Sequence, residues 1–205
     1  LYAVTDSQWL GSRTLPQAVE EAILGGATFI QLREKNLDTP SRIALAQQVK
    51  SVTDRYHIPF VVNDDVQAAL ACGADGVHVG QEDMQAADVR CLIGPDKILG
   101  VSAQTVEQAL LAEANGADYL GVGAVFSTST KADAVEVPYD TLRAICQAVS
   151  IPVIAIGGIK ASNVQALQES GIVGIAVVSG IFAAPDITAA ARELDEAVDT
   201  MLRQN

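Results

Sequence analysis

The sequence predicts a closed (β/α)8 barrel, the TIM barrel of the α/β class, as a single domain over residues 1–205. Three observations carry this. Eight short apolar runs rich in Val and Ile alternate with stretches whose apolar residues recur at three and four. The joints repeat, because "GGATFIQ", "CGADGVHV" and "NGADYLGV" each pass from helix through glycine and a small residue into a strand. Finally, 205 residues at 49% hydrophobic content suffice for one large core without crosslinks. An open doubly wound sheet is the competing fold. It more often shows five to seven strands and a glycine-rich first turn, whereas "TDSQWLGS" follows the first run here, with no GxGxxG.

The strand candidates in order are "LYAVT" (1–5), "TFIQLR" (28–33), "PFVVN" (59–63), "DGVHVG" (75–80), "KILGVS" (97–102), "DYLGVG" (118–123), "PVIAIG" (152–157) and "GIAVVS" (174–179). Helical patterns between them include "LPQAVEEAILGG", "PSRIALAQQVKSVTDRY", "TVEQALLAEANG" and "NVQALQESG". A last helix, from about 187 to 203, closes the chain. The glycine ending a helix accepts a left-handed backbone. "HIPFVVN" and "SIPVIAIG" place Pro at a strand start, where no ladder donor is needed.

The formal net charge of −12 argues against nucleic acid and anionic membranes as partners. An anionic substrate must therefore meet a local positive site. Cys72, Cys91 and Cys146 are odd in number, lack CxxC spacing and lie in helical patterns. They read as buried, reduced thiols of a cytoplasmic protein. No signal peptide is visible. The most apolar stretch, "GIVGIAVVSGIFAAP", is glycine-broken and falls below the ~18 apolar residues of a membrane span.

In such a barrel, function gathers at the carboxyl ends of the strands. After the second strand comes "QLREKN". Alternation puts Gln31, Arg33 and Lys35 on the face toward the barrel mouth, with Ile30 and Leu32 facing the helices. Two neighbouring cations are costly unless an anion sits between them; a solvated loop is the alternative. "NDD" (Asn63 to Asp65) and "GQEDM" (Glu82, Asp83) bring acids to two adjacent strand ends. They can ligate Mg²⁺ or cap helices, and Asp65 and Asp83 both suit a cap. Ser102 follows the fifth strand, and "STSTK" (Ser127 to Lys131) follows the sixth. "GGI" (157–159) and "VSGI" (178–181) follow the last two, where backbone N–H groups commonly cradle a phosphate. His57 and His78 read as structural. No zinc spacing and no GxSxG elbow occurs. The mouth thus combines a phosphate cradle, a basic set (Arg33, Lys35, Lys131) and a carboxylate pair. It shows no evident general base or nucleophile.

"YAVTD", "QLREK", "NDD", "GVHVGQED", "GVS", "GVGAVFSTSTK", "GGI" and "VVSGI" occur in this order. Together they resemble the thiamine-phosphate synthase family, from Tyr2 to Ile181. The resemblance implies a (β/α)8 barrel. It also implies a transferase that joins 4-amino-2-methyl-5-(diphosphooxymethyl)pyrimidine to a thiazole phosphate, with Mg²⁺ as cofactor and pyrophosphate as product. Carried over, Gln31, Leu32, Arg33, Glu34, Lys35 and Asn63 would hold the pyrimidine diphosphate, with Ser102 and Lys131. Arg33, Ser102 and Lys131 would be catalytic, and Asp64 and Asp83 would hold the metal. Thr128, Ser129, Thr130, Gly158, Val178 and Ser179 would receive the thiazole phosphate. The implied partners are two small phosphorylated substrates, and a homodimer is compatible with them. Ala124 stands where the family often has Pro, Gln104 stands where His is common, and the usual first residues are absent. The related thiazole tautomerase on the same fold fits less well. Its proton-shuttle histidine near the sixth strand is missing, and the diphosphate set is intact.

Overall fold

A computed structural model describes residues 1–128, 130 and 135–203. Eight parallel strands close into a barrel in chain order. They are β1 (Tyr2–Val4), β2 (Phe29–Leu32), β3 (Phe60–Asn63), β4 (Gly76–Val79), β5 (Ile98–Ala103), β6 (Tyr119–Val122), β7 (Val153–Ile156) and β8 (Gly174–Val177). Around them lie α1 (Leu15–Leu24), α2 (Thr39–Tyr56), α3 (Val66–Cys72), α4 (Ala86–Ile93), α5 (Val106–Ala114), α6 (Tyr139–Ala148), α7 (Ser179–Phe182) and α8 (Ile187–Leu202). All eight expected strands form. Most are a residue or two shorter than their apolar runs, whereas β5 reaches one residue further, to Ala103.

Caps set the helix starts as the side chains allow. Thr14 and Gln17 form a reciprocal capping box at α1, and Asp65 Oδ1 accepts from Ala68 N at 2.8 Å to start α3. One expected helix is corrected. "NVQALQESG" yields only a 3₁₀ turn, Val164–Leu167. Asn163, placed to cap it, instead accepts from Lys160 N (2.8 Å) and donates to Gly158 O (2.9 Å). Glu169, at φ 60°, then turns the chain out of helical geometry.

The core has two layers. Ile30, Leu32, Phe60, Leu99, Leu120 and Ile175 belong to the layer packed against the helices. Inside the barrel lie Tyr2, Val4, Val61, Tyr119 and Ala176, with Phe29, Ile98, Ile154, Ile156 and Val178 against them. These bulky interior rings need glycine on neighbouring strands. A Cβ at Gly100 would lie 2.2 Å from Tyr119 Cζ and 2.5 Å from His78 Nδ1. The cysteines are free, but not all are buried as expected: Cys91 is exposed, and Cys72 and Cys146 are half-buried. Val89 and Ile93 turn inward on α4, which puts Cys91 on the outer face. Among the described residues, no helix is long and apolar enough to cross a membrane.

Candidate active site

Period-2 alternation along β2 brings Gln31 inside the barrel, where it is buried and donates from Nε2 to Tyr2 Oη at 2.6 Å. The following loop is held from two sides. Thr5 Oγ1 accepts from Arg33 N (3.0 Å) and donates to Glu34 Oε1 (3.1 Å). From the other side, Arg42 donates to Glu34 O (2.9 Å) and pairs with Asp65 (2.6 Å). The Glu34 carboxyl is turned toward Thr5 and Ser7, and burial raises its pKa above the ordinary carboxylate range. Leu32 packs its side chain in the layer against the helices, so only its main chain is available to the mouth. Among the described residues, the side chains of Arg33 and Lys35 have no ion-pair or hydrogen-bond partner.

At the next strand end the chain bends sharply. Asp64 has φ 63° and donates from its backbone N to His78 O at 2.8 Å. Asn63 Nδ2 donates to Asp64 Oδ2 at 2.6 Å. Asp83 does not cap α4, whose N-cap is Gln85; its Oδ2 accepts from Gly80 N at 2.7 Å. Burial, then a hydrogen bond and like-charge repulsion from Asp83, push the Asp64 carboxyl up to about 7, against the pull of Arg33 and Lys35. Two carboxylates this close cannot both ionise cheaply. A divalent cation would relieve that crowding, so this oxygen pair fits Mg²⁺ completed by waters and substrate phosphate. Among the described residues, no group of three or more His, Cys, Asp or Glu converges.

Ser102, on β5, accepts from Gln81 Nε2 through its carbonyl (2.7 Å) and shares a hydrogen bond of 2.9 Å between Oγ and His78 Nε2. His78 Nδ1 meets Tyr119 Oη at 2.9 Å, and Tyr119 Oη meets Tyr2 Oη at 2.8 Å. Burial lowers the His78 pKa to about 4, so the imidazole is neutral near pH 7. Sequence reasoning treated His78 as structural and did not single out Tyr2 or Tyr119. Their inward parity on β4, β1 and β6 was the available signal.

The remaining loops meet across the far side of the mouth. Thr130 donates from N to Thr128 Oγ1 (3.2 Å) and from Oγ1 to Ser179 Oγ (3.4 Å), which joins the loops after β6 and β8. Gly158 has φ 66°, and a Cβ there would lie 2.4 Å from Ser127 O. Only glycine lets the loop after β7 sit this close. Val178 lies over the barrel interior at the N-cap of α7, the short helix that follows the last strand. Ala124 is buried, and its backbone bonds to Val135 O (3.1 Å) and Val137 N (2.7 Å). The Gly123–Ala124 peptide is cis. Gln104 Nε2 donates to Gly123 O at 3.4 Å. Ser129 and Lys131 lie outside the described residues.

Fold and site together define a class first: a (β/α)8-barrel enzyme whose polar chemistry is collected at the carboxyl ends of its strands. The model of the thiamine monophosphate synthase family matches residues 1–181, and the chain belongs to that family. It is 55% identical over 196 residues to a thiamine-phosphate synthase of Ruminiclostridium cellulolyticum, spanning 96% of this chain and 93% of the relative. It is 52% identical over 194 residues to the thiamine-phosphate synthase of Clostridium tetani, spanning 95% and 93%. The thiamine phosphate pyrophosphorylase structure from Pyrococcus furiosus superposes with a TM-score of 0.90 at 40% identity, over 98% of this chain and 96% of that one. The chain is accordingly a transferase of thiamine biosynthesis.

Proposed function

We propose that the protein couples 4-amino-2-methyl-5-(diphosphooxymethyl)pyrimidine with 4-methyl-5-(2-phosphooxyethyl)thiazole, giving thiamine phosphate and pyrophosphate. The observation that carries this reading is the division of the mouth. Cations with no ion-pair partner among the described residues and a crowded carboxylate pair lie at one side, and a glycine-bearing, hydroxyl-lined loop junction lies at the other. Such a mouth suits a diphosphate beside a monophosphate.

In this reading Arg33 and Lys35 neutralise the diphosphate, Asn63 orients Asp64, and Ser102 and Lys131 donate to diphosphate oxygens. Thr128, Ser129, Thr130, Gly158, Val178 and Ser179 hold the thiazole phosphate. Asp64 and Asp83 would hold Mg²⁺, which when bound supplies charge neutralisation to the departing pyrophosphate. The C–O bond breaks with its electron pair going to pyrophosphate, helped by electron release from the pyrimidine amino group. The thiazole nitrogen lone pair then forms the new C–N bond. No protein nucleophile or base is required, and pre-placed charge is the main contribution of the side chains. Cytoplasmic residence and a homodimer belong to the same proposal.

The test mixes purified protein with both substrates and Mg²⁺, with an EDTA control. Equal, EDTA-sensitive formation of pyrophosphate and thiamine phosphate is expected. No product from folded protein would overturn the assignment. Lys131→Ala should depress turnover about a hundredfold or more, the scale of losing one charge donor in such a site; near-wild-type turnover would remove its role.

A further inference from the structure

A single hydrogen-bonded chain crosses the barrel interior from β2 to β5. It runs from Gln31 Nε2 to Tyr2 Oη (2.6 Å), to Tyr119 Oη (2.8 Å), to His78 Nδ1 (2.9 Å), and from His78 Nε2 to Ser102 Oγ (2.9 Å). Both of its ends are site residues, and its three middle members are buried, as is Gln31. Each middle member owns one proton: a phenol proton on Tyr2, another on Tyr119, and a single N–H on neutral His78. Both ring nitrogens of buried His78 face neutral hydroxyls, and each buried phenol meets only neutral groups, a setting that favours the uncharged form of all three.

Proton counting then leaves two complete arrangements. All the protons point toward Ser102, or all point toward Gln31. A mixed arrangement sets two bare acceptors, or two protons, against each other in a buried place, which forfeits a hydrogen bond. Gln31 turns its amide nitrogen inward to Tyr2. Tyr2 must then donate to Tyr119, Tyr119 to Nδ1, and Nε2–H to Ser102 Oγ. The serine oxygen is occupied as an acceptor, and its own proton is left for the mouth. At the other end, the Gln31 amide oxygen is left to accept. In the opposite arrangement Ser102 would spend its proton on His78 and turn lone pairs toward any arriving anion.

We propose that Tyr2, Tyr119 and His78 are positioning residues, and that their one-way chain sets Ser102 as a hydrogen-bond donor and Gln31 as an acceptor together. The ligand this selects carries an N–H group on a heteroaromatic ring at one end and phosphate oxygens at the other. The inference rests on the reading of Ser102 as a donor to the diphosphate.

Two measurements test it. In the full-length protein labelled with ¹⁵N-histidine, long-range ¹H–¹⁵N spectra report the tautomer of each ring, with His57→Gln assigning the pair. His78 protonated on Nε2 and bare on Nδ1 is expected; a proton on Nδ1 overturns the proposal. Steady-state kinetics of Tyr119→Phe, Ser102→Ala and the double variant then show whether Tyr119 acts through Ser102. Tyr119→Phe should lower kcat about tenfold, one hydrogen bond's worth, with KM for the thiazole phosphate unchanged. The double variant should be no slower than Ser102→Ala. A slow Ser102→Ala combined with a silent or fully multiplicative Tyr119→Phe overturns the chain and leaves the site reading standing. Wild-type turnover in Ser102→Ala removes the reading of Ser102, and the proposal with it. If Tyr119→Phe fails to fold, the wild-type tautomer alone decides.

Discussion

At the amino ends of the strands, Asp75 Oδ2 accepts from Phe60 N (2.8 Å) and Asp118 Oδ2 from Leu99 N (2.7 Å). Arg90 pairs with Asp118 at 2.6 Å and donates to the carbonyls of Gly94, Lys97 and Gly116. At the carboxyl ends, by contrast, Asp64 and Asp83 crowd each other, and Arg33 and Lys35 have no described side-chain partner. The same residue types close the barrel at one end and stay mismatched at the other. Charges satisfied within the chain have nothing left for a ligand. Charges left mismatched are destabilising until a ligand supplies the missing partner.

The largest test of this contrast is Asp64→Asn. Catalysis should fall about a hundredfold or more, the usual scale for losing a charge-stabilising group. The metal-free protein should keep or raise its melting temperature at pH 8. Asparagine tolerates the left-handed backbone at this position and removes the like-charge contact. Parallel activity assays and thermal melts in EDTA check both halves, and a large drop in melting temperature would break the contrast.

Next comes acid. His78 has a folded pKa lowered to about 4 from 6.5, so its contribution to stability is complete above pH 6.5 and is lost as pH falls toward 4. Urea unfolding across that window should show a loss approaching about 3 kcal/mol from this residue. The raised Asp64 acts with opposite sign: its proton favours the fold below pH 7, and stability drains as pH rises from 3.8. Running the series on Asp64→Asn removes that opposing contribution.

Arg90→Ala should show the reverse of Asp64→Asn, costing roughly 2 kcal/mol through several lost charge-assisted bonds with unchanged kcat per folded molecule. Denaturant melts with active-site titration would show it. The smallest effect is that of metal alone. Millimolar Mg²⁺ should raise the wild-type midpoint by a few degrees and leave that of Asp64→Asn unmoved, since ligand binding stabilises by mass action. An equal rise in both would separate the metal from this pair.

Much of this was legible in the chain. "TFIQLR" and "PVIAIG" announce strands by their apolar runs, and Asp65 announces a helix start by standing just before "VQAALACG". "NVQALQESG" misled, because its periodicity is helical while its capping side chain is engaged with Gly158 and Lys160. Asp83 looked like a cap, yet its partner is the Gly80 amide. Exposure of Cys91 followed from helix phase, which depends on where the helix begins.

Periodicity, caps and turn residues act over a few neighbours, so the sequence alone determined the alternating elements, the barrel class and the strand ends where function gathers. It also placed Arg33, Lys35, Asp64, Asp83 and Ser102 at those ends. Only closure of the barrel decided which of them share an environment. Tyr2 and Tyr119 meet across 117 residues, and His78 reaches Ser102 across 24. Such contacts depend on strand register and on the space left by Gly100 and Gly121, which no local pattern encodes.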